Sequence, residues 1–468
     1  MKIRKIYIKK FDQFQDITFD FTNPETGKVA DKICLIGQNG TGKSKLLMLI
    51  IWLFKLFLND FIFMDFISQT RENSIILSSG RVIFEVIVDN KVFFFYLVDG
   101  NIIIFENEVS ELSNDDLIQK LLIETQAISI FHSEFWSRYI VKPENEVLNK
   151  IQLKDNNNDL FIYSPAESDK NDYRDMNDVP DTSVSEALDL SKNFPFYAEV
   201  SSHTVREFWK ILVFNLRKRA EEREAYEILP ENINKTKAQL IDEFDRISPQ
   251  VLEHLALIWN KILGKAGLEF DVAGASNPYQ LNDNLKAYVR LIKSSTIIPY
   301  SALSTGIRNY IFRIGHIFSV YFNRKIDRAI LLVDEPENSL YPDFLFELVE
   351  TYQQIIIDKG GKNNTQMFFA THNPIIAAQF KPYERIILEW KEDGTVKANK
   401  GITPEGDDPN DILKKDFGLH QLMGPVGIQE WHKYLDLKRK LKATASVEDK
   451  MTIASEINKI GQLYNFPA

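Results

Sequence analysis

Only one cysteine, Cys34, occurs among 468 residues. That excludes a disulfide framework and any cysteine-based zinc site, and it fits a reducing compartment. Long apolar runs are also missing. The richest stretch, residues 46–58 and then 61–64, is broken by Lys55, Asn59 and Asp60, short of the roughly 18 apolar residues a membrane span needs. It reads as a helix buried in a large protein. The start, Met1-Lys2-Ile3-Arg4-Lys5-Ile6, alternates charged and apolar residues and has no signal-peptide core, so a cytoplasmic location without membrane attachment is expected. No internal repeat is found, and no heptad pattern runs long enough for coiled-coil arms. Positive charge is in deficit, with 56 lysines and arginines against 66 acids and a net charge of -10. That argues against indiscriminate coating of DNA. Basic clusters at Arg217-Lys218-Arg219 and Lys438-Arg439-Lys440 nevertheless leave nucleic-acid contact open.

What is present is globular. Hydrophobic residues make up 44% and charged residues 26%, enough apolar surface to build about three domain-sized units. Residues 1–110 read as β-rich. Ile3, Ile6 and Ile8 open one strand, Ile17, Phe19 and Phe21 alternate in a second, and Ile33–Ile36 form a third. Between Arg81 and Glu106, Asp89-Asn90 and Asp99-Gly100 mark hairpin turns in a meander. Residues 111–294 are helix-forming and charge-rich, with scattered Asn, Asp and Pro loops, and read as a helical lobe. Strand, turn and helix signals resume over 295–400, and 401–468 reads as helical.

Four short motifs carry chemistry. Gly37-Gln38-Asn39-Gly40-Thr41-Gly42-Lys43-Ser44 follows an apolar strand and opens an apolar helix, the context in which G-x-x-x-x-G-K-[ST] turns its N–H groups on a phosphate chain. Lys43 would reach the terminal phosphates, and the Ser44 hydroxyl would ligate Mg²⁺. Ala329-Ile330-Leu331-Leu332-Val333-Asp334-Glu335 is a buried strand delivering two carboxylates to its C-terminal edge, Asp334 for the metal and Glu335 to polarise a water. Gln366–Ala370 is a further buried strand, ending in Thr371-His372-Asn373-Pro374. His372 lies 38 residues beyond Asp334, the distance at which a neighbouring strand returns to the same sheet edge. Leu303-Ser304-Thr305-Gly306 caps a helix with Ile307, Tyr310, Ile311, Ile314, Ile317, Phe318 and Tyr321 at helical spacing.

In this order the set resembles the ABC-type ATPase family. Gly37–Ser44 matches its Walker A motif, Asp334-Glu335 its Walker B motif with the catalytic glutamate, Ser304-Thr305-Gly306 its signature, and His372 its switch histidine. The resemblance implies an α/β fold: a mixed β-sheet core with a P-loop, an antiparallel β-subdomain and the helical lobe. It also implies ATP with Mg²⁺, and a homodimer that sandwiches two nucleotides so that each signature helix completes the other chain's site. Asp334-Glu335-Pro336-Glu337, Leu340-Tyr341-Pro342 and Thr371-His372-Asn373-Pro374 look like the soluble SMC/RecF/OLD-like branch. Closest are the stand-alone ATPases of antiphage defence, such as the PtuA type of Septu, with retron ATPases as neighbours. That finer likeness implies a separate effector under ATPase control, an HNH-type nuclease in the PtuA case.

The pattern departs from the family at Thr305, where a second glycine is common, at Ile307, where Gln or Glu is usual, and at Tyr341, which replaces a histidine. Gln126 and Gln152 are candidates for the metal-contacting glutamine, and Phe11 and Phe14 for the adenine-stacking aromatic. Two other functions compete with the leading one. A chromosome-maintenance or repair ATPase would take DNA as direct ligand. An OLD-like nuclease would need a metal cluster from Glu389, Glu392, Asp393, Glu405, Asp407, Asp408 and Asp411, whose contexts read instead as a hairpin turn and a helix cap.

Overall fold

The computed structural model describes residues 1–57, 80–88, 91–98, 101–106, 159–166, 197–200, 218–219, 221–248, 251–272, 289–298, 302–324, 328–355, 364–419 and 421–466. They fall into two compact units, 1–407 and 408–468.

The first unit begins with the hairpin β1 (Lys2–Phe11) and β2 (Phe14–Asp20). Its two-residue turn sets Asp12 at φ 51°, a conformation that short polar side chains tolerate. The free edge of β1 pairs with β4 (Arg81–Val88), and β5 (Lys91–Val98) and β6 (Asn101–Glu106) continue the meander. The result is an antiparallel sheet in the order β2-β1-β4-β5-β6; its β4-β5-β6 part is the meander that the alternating apolar pattern and the two turn dipeptides predict.

The second sheet holds seven strands. Besides β3 (Lys32–Gly37) it contains β7 (Asp159–Ser164), β8 (Tyr197–Glu199), β12 (Arg328–Asp334), β13 (Gln366–Ala370), β14 (Arg385–Trp390) and β15 (Val396–Lys400). The order is β15-β14-β3-β13-β12-β7-β8. Every neighbouring pair is parallel except the β14–β15 hairpin. Parallel strands covered on both faces read as continuous apolar runs, and Ile330–Val333 and Met367–Ala370 are fully buried accordingly. The C-terminal ends of β3, β13 and β12 therefore lie side by side.

The two sheets share one apolar cluster. Phe21 meets Phe368 edge to face at 5.2 Å. The buried Gln366 amide bonds both backbone groups of Ile3, accepting from its N–H at 2.7 Å and donating to its carbonyl at 2.8 Å, so a side chain from β13 stands in for a strand partner of β1. Helix α1 (Lys43–Phe57) explains the longest apolar run, for Leu46, Leu47, Leu49 and Ile50 are all 0% exposed. Among the described residues no helix is long and apolar enough to cross a membrane.

Two features depart from the sequence reading. Strand β7 falls in the stretch read as a helical lobe, yet it lies in the main sheet directly beside β12. Its signal is short, Leu160-Phe161-Ile162-Tyr163 after an asparagine run, and a four-residue apolar run does not distinguish strand from helix. The same stretch supplies β9 (Leu268–Phe270) and β10 (Val289–Leu291), which form a small antiparallel sheet with β11 (Ile297–Ile298) just beyond it. The helical character does hold for α2 (Lys237–Ile247) and α3 (Val251–Lys265).

Helix α4 (Thr305–Arg324) buries all seven residues of its predicted apolar face. It packs on α3, with the buried Trp259 indole donating to the Ile311 carbonyl at 2.9 Å and the Tyr310 hydroxyl to the Ile258 carbonyl at 3.1 Å. Short helices α5 (Pro342–Leu345), α6 (Leu348–Ile355) and α7 (Pro374–Ala377) fill the crossovers. The second unit is α8 (Pro409–Lys415) followed by a hairpin of α9 (Pro425–Ala443) and α10 (Val447–Tyr464). It closes over Tyr434, Leu437, Ile457 and Ile460.

Candidate functional site

At the end of β3 the chain turns through residues 37–42 into α1. Gly42 sits at φ +100°, and a Cβ there would come within 2.5 Å of Gln13 Nε2 and Phe14 Cζ. Only glycine fits against the β1–β2 turn, which grips the loop from the other side. Gln13 Nε2 donates to the Gly40 carbonyl at 3.1 Å, and Lys45 reaches Gln13 Oε1 at 3.0 Å while pairing with Asp12. The Thr41 hydroxyl donates to the Gln38 carbonyl at 2.8 Å. Lys43 is 5% exposed and folds back on the loop, donating to the carbonyls of Gly37 at 2.9 Å and Gln38 at 3.2 Å. Burial pulls its ammonium down to about 8, opposed by the negative field of Asp334, Glu335 and Glu337.

The carboxylates come from β12. Asp334 is buried, and burial raises its pKa even though the Ser44 hydroxyl bonds it and Lys43 and Arg313 favour its charge. One of its oxygens, Oδ1, has no hydrogen-bond partner. Glu335 follows at φ 43°, a left-handed conformation rare for a residue with a long side chain. Its N–H donates to the Ala370 carbonyl at 2.8 Å, which continues the β12–β13 ladder one residue past the strand and aims the side chain across the sheet edge.

Across that edge stands His372, whose Nε2 lies 3.5 Å from Glu335 Oε1. Burial and the Lys43 charge lower its pKa, while Glu335 and a hydrogen bond to the Gly37 backbone raise it. The net direction is downward, which favours the neutral imidazole. Glu337 holds the turn in place: its Oε1 accepts from the Thr371 hydroxyl at 2.5 Å and from the His372 N–H at 3.0 Å. Burial pushes its carboxyl up.

The fourth motif sits elsewhere. The Ser304 hydroxyl accepts from the Ile307 N–H at 3.4 Å and caps α4. Ser304 and Thr305 are exposed, whereas Gly306 is buried. A Cβ on Gly306 would lie 1.9 Å from the Ser339 carbonyl oxygen, so the helix start is pressed against the loop that leaves β12. The contacts described for Ser304–Gly306 run to α4 and to this loop, with none to residues 37–44.

The structure thus gathers residues 37–44, Asp334, Glu335 and His372 at one sheet edge, while Ser304, Thr305 and Gly306 open α4 against the loop that leaves β12. Phe11 and Phe14 are 1% and 0% exposed. Both belong to the core and are closed to any stacking ligand, which corrects the expectation placed on them. Gln126 and Gln152 lie outside the described residues. Asp393 serves its own turn, accepting from the Thr395 N–H at 2.9 Å and from its hydroxyl, and Asp408 caps α8 through the Asn410 N–H at 2.7 Å. Among the described residues no three His, Cys, Asp or Glu side chains cluster as metal ligands.

Two residues were not singled out from sequence. One is Glu337, visible only as part of the Asp-Glu-Pro-Glu run. The other is Arg313, a buried arginine in α4 that donates to the carbonyls of Pro165 and Ala166 at 2.7 Å and of Glu335 at 3.3 Å. Its only sequence signal is a cation between the apolar neighbours Phe312 and Ile314.

This donor set fits a polyphosphate with a hard cation. The glycine turn leaves no room for a side chain, a lysine is held only by carbonyls, and a hydroxyl and a buried carboxylate with one unmatched oxygen sit side by side. A search of curated protein sequences returned no match. A family model described as an AAA ATPase domain matches residues 1–377, a span that includes the glycine turn, the β12 carboxylates and His372. The chain belongs to the AAA ATPase domain family.

Proposed function

We propose that this chain binds and hydrolyses ATP with Mg²⁺, closes as a homodimer around two nucleotides, and so controls a separate effector, an HNH-type nuclease, in antiphage defence. The observation that carries the catalytic part is the Glu335–His372 pair at 3.5 Å, set beside the Lys43 turn on adjacent strand ends. Ser44 and Asp334 are the residues that would hold Mg²⁺, and the ion would offset charge building on the phosphates. Lys43 would exchange its two carbonyl partners for phosphate oxygens. Glu335 would accept a proton from the attacking water, and neutral His372 would fix that water's orientation.

The dimer reading is supported by the placement of Ser304 and Thr305. They are exposed at the start of α4, and their described hydrogen bonds stay within that helix, which leaves them open to a phosphate presented by a second copy. The effector rests on the resemblance of Asp334–Pro342 and Thr371–Pro374 to defence ATPases. Nucleotide-dependent mass, read by light scattering, is the test. Glu335→Gln is expected to retain ATP and accumulate as a dimer, whereas Lys43→Ala loses both binding and dimerisation. If neither substitution alters ATP-dependent association, the sandwich is wrong. Copurification with the protein's natural partner, followed by nuclease assay, tests the effector.

A further inference from the structure

With Phe11 and Phe14 buried, the aromatics of the β1–β2 hairpin offer no face to a nucleobase, and the neighbouring Phe19 and Phe21 are 0% and 1% exposed. One aromatic beside the glycine turn does. Trp390 ends β14 and is 41% exposed. The β14–β3 register pairs Leu388 with Gly37, so Trp390 stands two residues beyond the strand end, level with the turn. A Cβ built on Gly40 would lie 3.6 Å from Trp390 Cζ2, which puts the indole in van der Waals range of the loop. The β14–β15 hairpin is held there because Trp390 pairs with Val396, whose N–H donates to the Gln13 carbonyl at 3.1 Å.

The sheet order decides which end of a nucleotide this residue meets. Asp334, Glu335 and His372 stand on β12 and β13, on one side of β3, and mark where the terminal phosphate reacts. Strand β14 lies on the other side of β3. A nucleoside triphosphate laid across the turn with its terminal phosphate toward Glu335 carries its base toward β14. An exposed indole in van der Waals range of the loop supplies the flat apolar surface a base prefers.

From this juxtaposition we infer that Trp390 is the stacking platform for the nucleobase. The inference rests on the triphosphate reading of residues 37–44. Stacking is indifferent to the hydrogen-bonding edge of the base, so affinity follows the area of the ring system, with purines bound more tightly than pyrimidines.

The test is calorimetric titration of the full chain with Mg-ATP and, separately, with magnesium tripolyphosphate, which has phosphates and no base. Trp390→Ala is expected to weaken ATP about tenfold while leaving tripolyphosphate unchanged, and Trp390→Phe to stay within about twofold of the parent. Equal affinity of the alanine variant and the parent for ATP would overturn the platform. So would equal weakening of both ligands, which would make Trp390 a brace for the loop. If the unsubstituted protein binds neither ligand, the phosphate site itself is refuted and the platform falls with it. A variant that keeps its ATP affinity but changes its self-association would make Trp390 an interface residue and reject the proposal.

Discussion

A single methyl group is a sharp probe at two glycines, for different reasons. At Gly42 it would meet Gln13 and Phe14 at 2.5 Å on a backbone at φ +100°. Gly42→Ala is therefore expected to push the β1–β2 turn off the loop and to remove ATP binding in a chain that still folds. At Gly306 the obstacle is backbone, the Ser339 carbonyl at 1.9 Å, which cannot rotate away as a side chain does. Gly306→Ala should lower stability by about 1–3 kcal/mol and shift the loop carrying Glu335. Denaturant titration and nucleotide calorimetry on both variants separate the two effects. A Gly306→Ala protein as stable as the parent would show that the loop yields freely.

Helix α4 ties several elements together, and two of its buried polar residues make that testable. Arg313 spans from α4 to the ends of β7 and β12 through backbone carbonyls, a fork that lysine's single ammonium does not reproduce. Arg313→Lys is expected to cut ATP turnover about tenfold with KM within about twofold of the parent, since it loosens the Glu335 backbone without touching the nucleotide. Unchanged kcat would reduce Arg313 to a structural tie.

His316, three residues further along α4, is 3% exposed, and burial holds its pKa down to about 4 from an ordinary 6.5. Below pH 6.5 the unfolded chain takes up a proton that the folded chain refuses. The contribution to stability is intact above pH 6.5 and is lost as pH falls toward 4, by about 3 kcal/mol in full. His316→Gln, uncharged at every pH, should flatten the fall in melting temperature between pH 6.5 and 4. An unchanged acid slope would place the sensitivity elsewhere.

At the scale of the molecule the two units differ in how much they bury. Residues 1–407 share a core built from both sheets, while in 408–468 the α9–α10 hairpin closes over a cluster of four buried apolar side chains with the aromatics Trp431 and Phe466 packed against it. A unit that small is marginal by surface-to-volume scaling. Unfolding should therefore not be two-state. Amides of α9 and α10 are expected to exchange hydrogen faster than those of β3 and β13, read by exchange mass spectrometry. Equal protection would mean that the second unit is stabilised by more than its own core.

Local order was written in the chain wherever short-range chemistry sufficed. Gly37–Ser44 needs only backbone freedom and a helix start, β12 and β13 are continuous apolar runs ending in their polar residues, and α4 repeats its apolar positions at helical spacing. Those elements, and the return of His372 to the edge that carries Asp334 and Glu335, could be read from spacing because parallel strands return to one edge; that Lys43 joins them was implied only by the resemblance to ABC-type ATPases. Pairings between distant segments could not. Strand β7 reached the sheet because β12 had an open edge to fill, and its four apolar residues carry no mark of that partner. Burial was equally a matter of packing: Phe14 and Trp390 are both aromatics near the glycine turn. Only the stacking of the two sheets decided that the first disappears into the core and the second faces solvent, because exposure depends on what covers a residue and not on what the residue is.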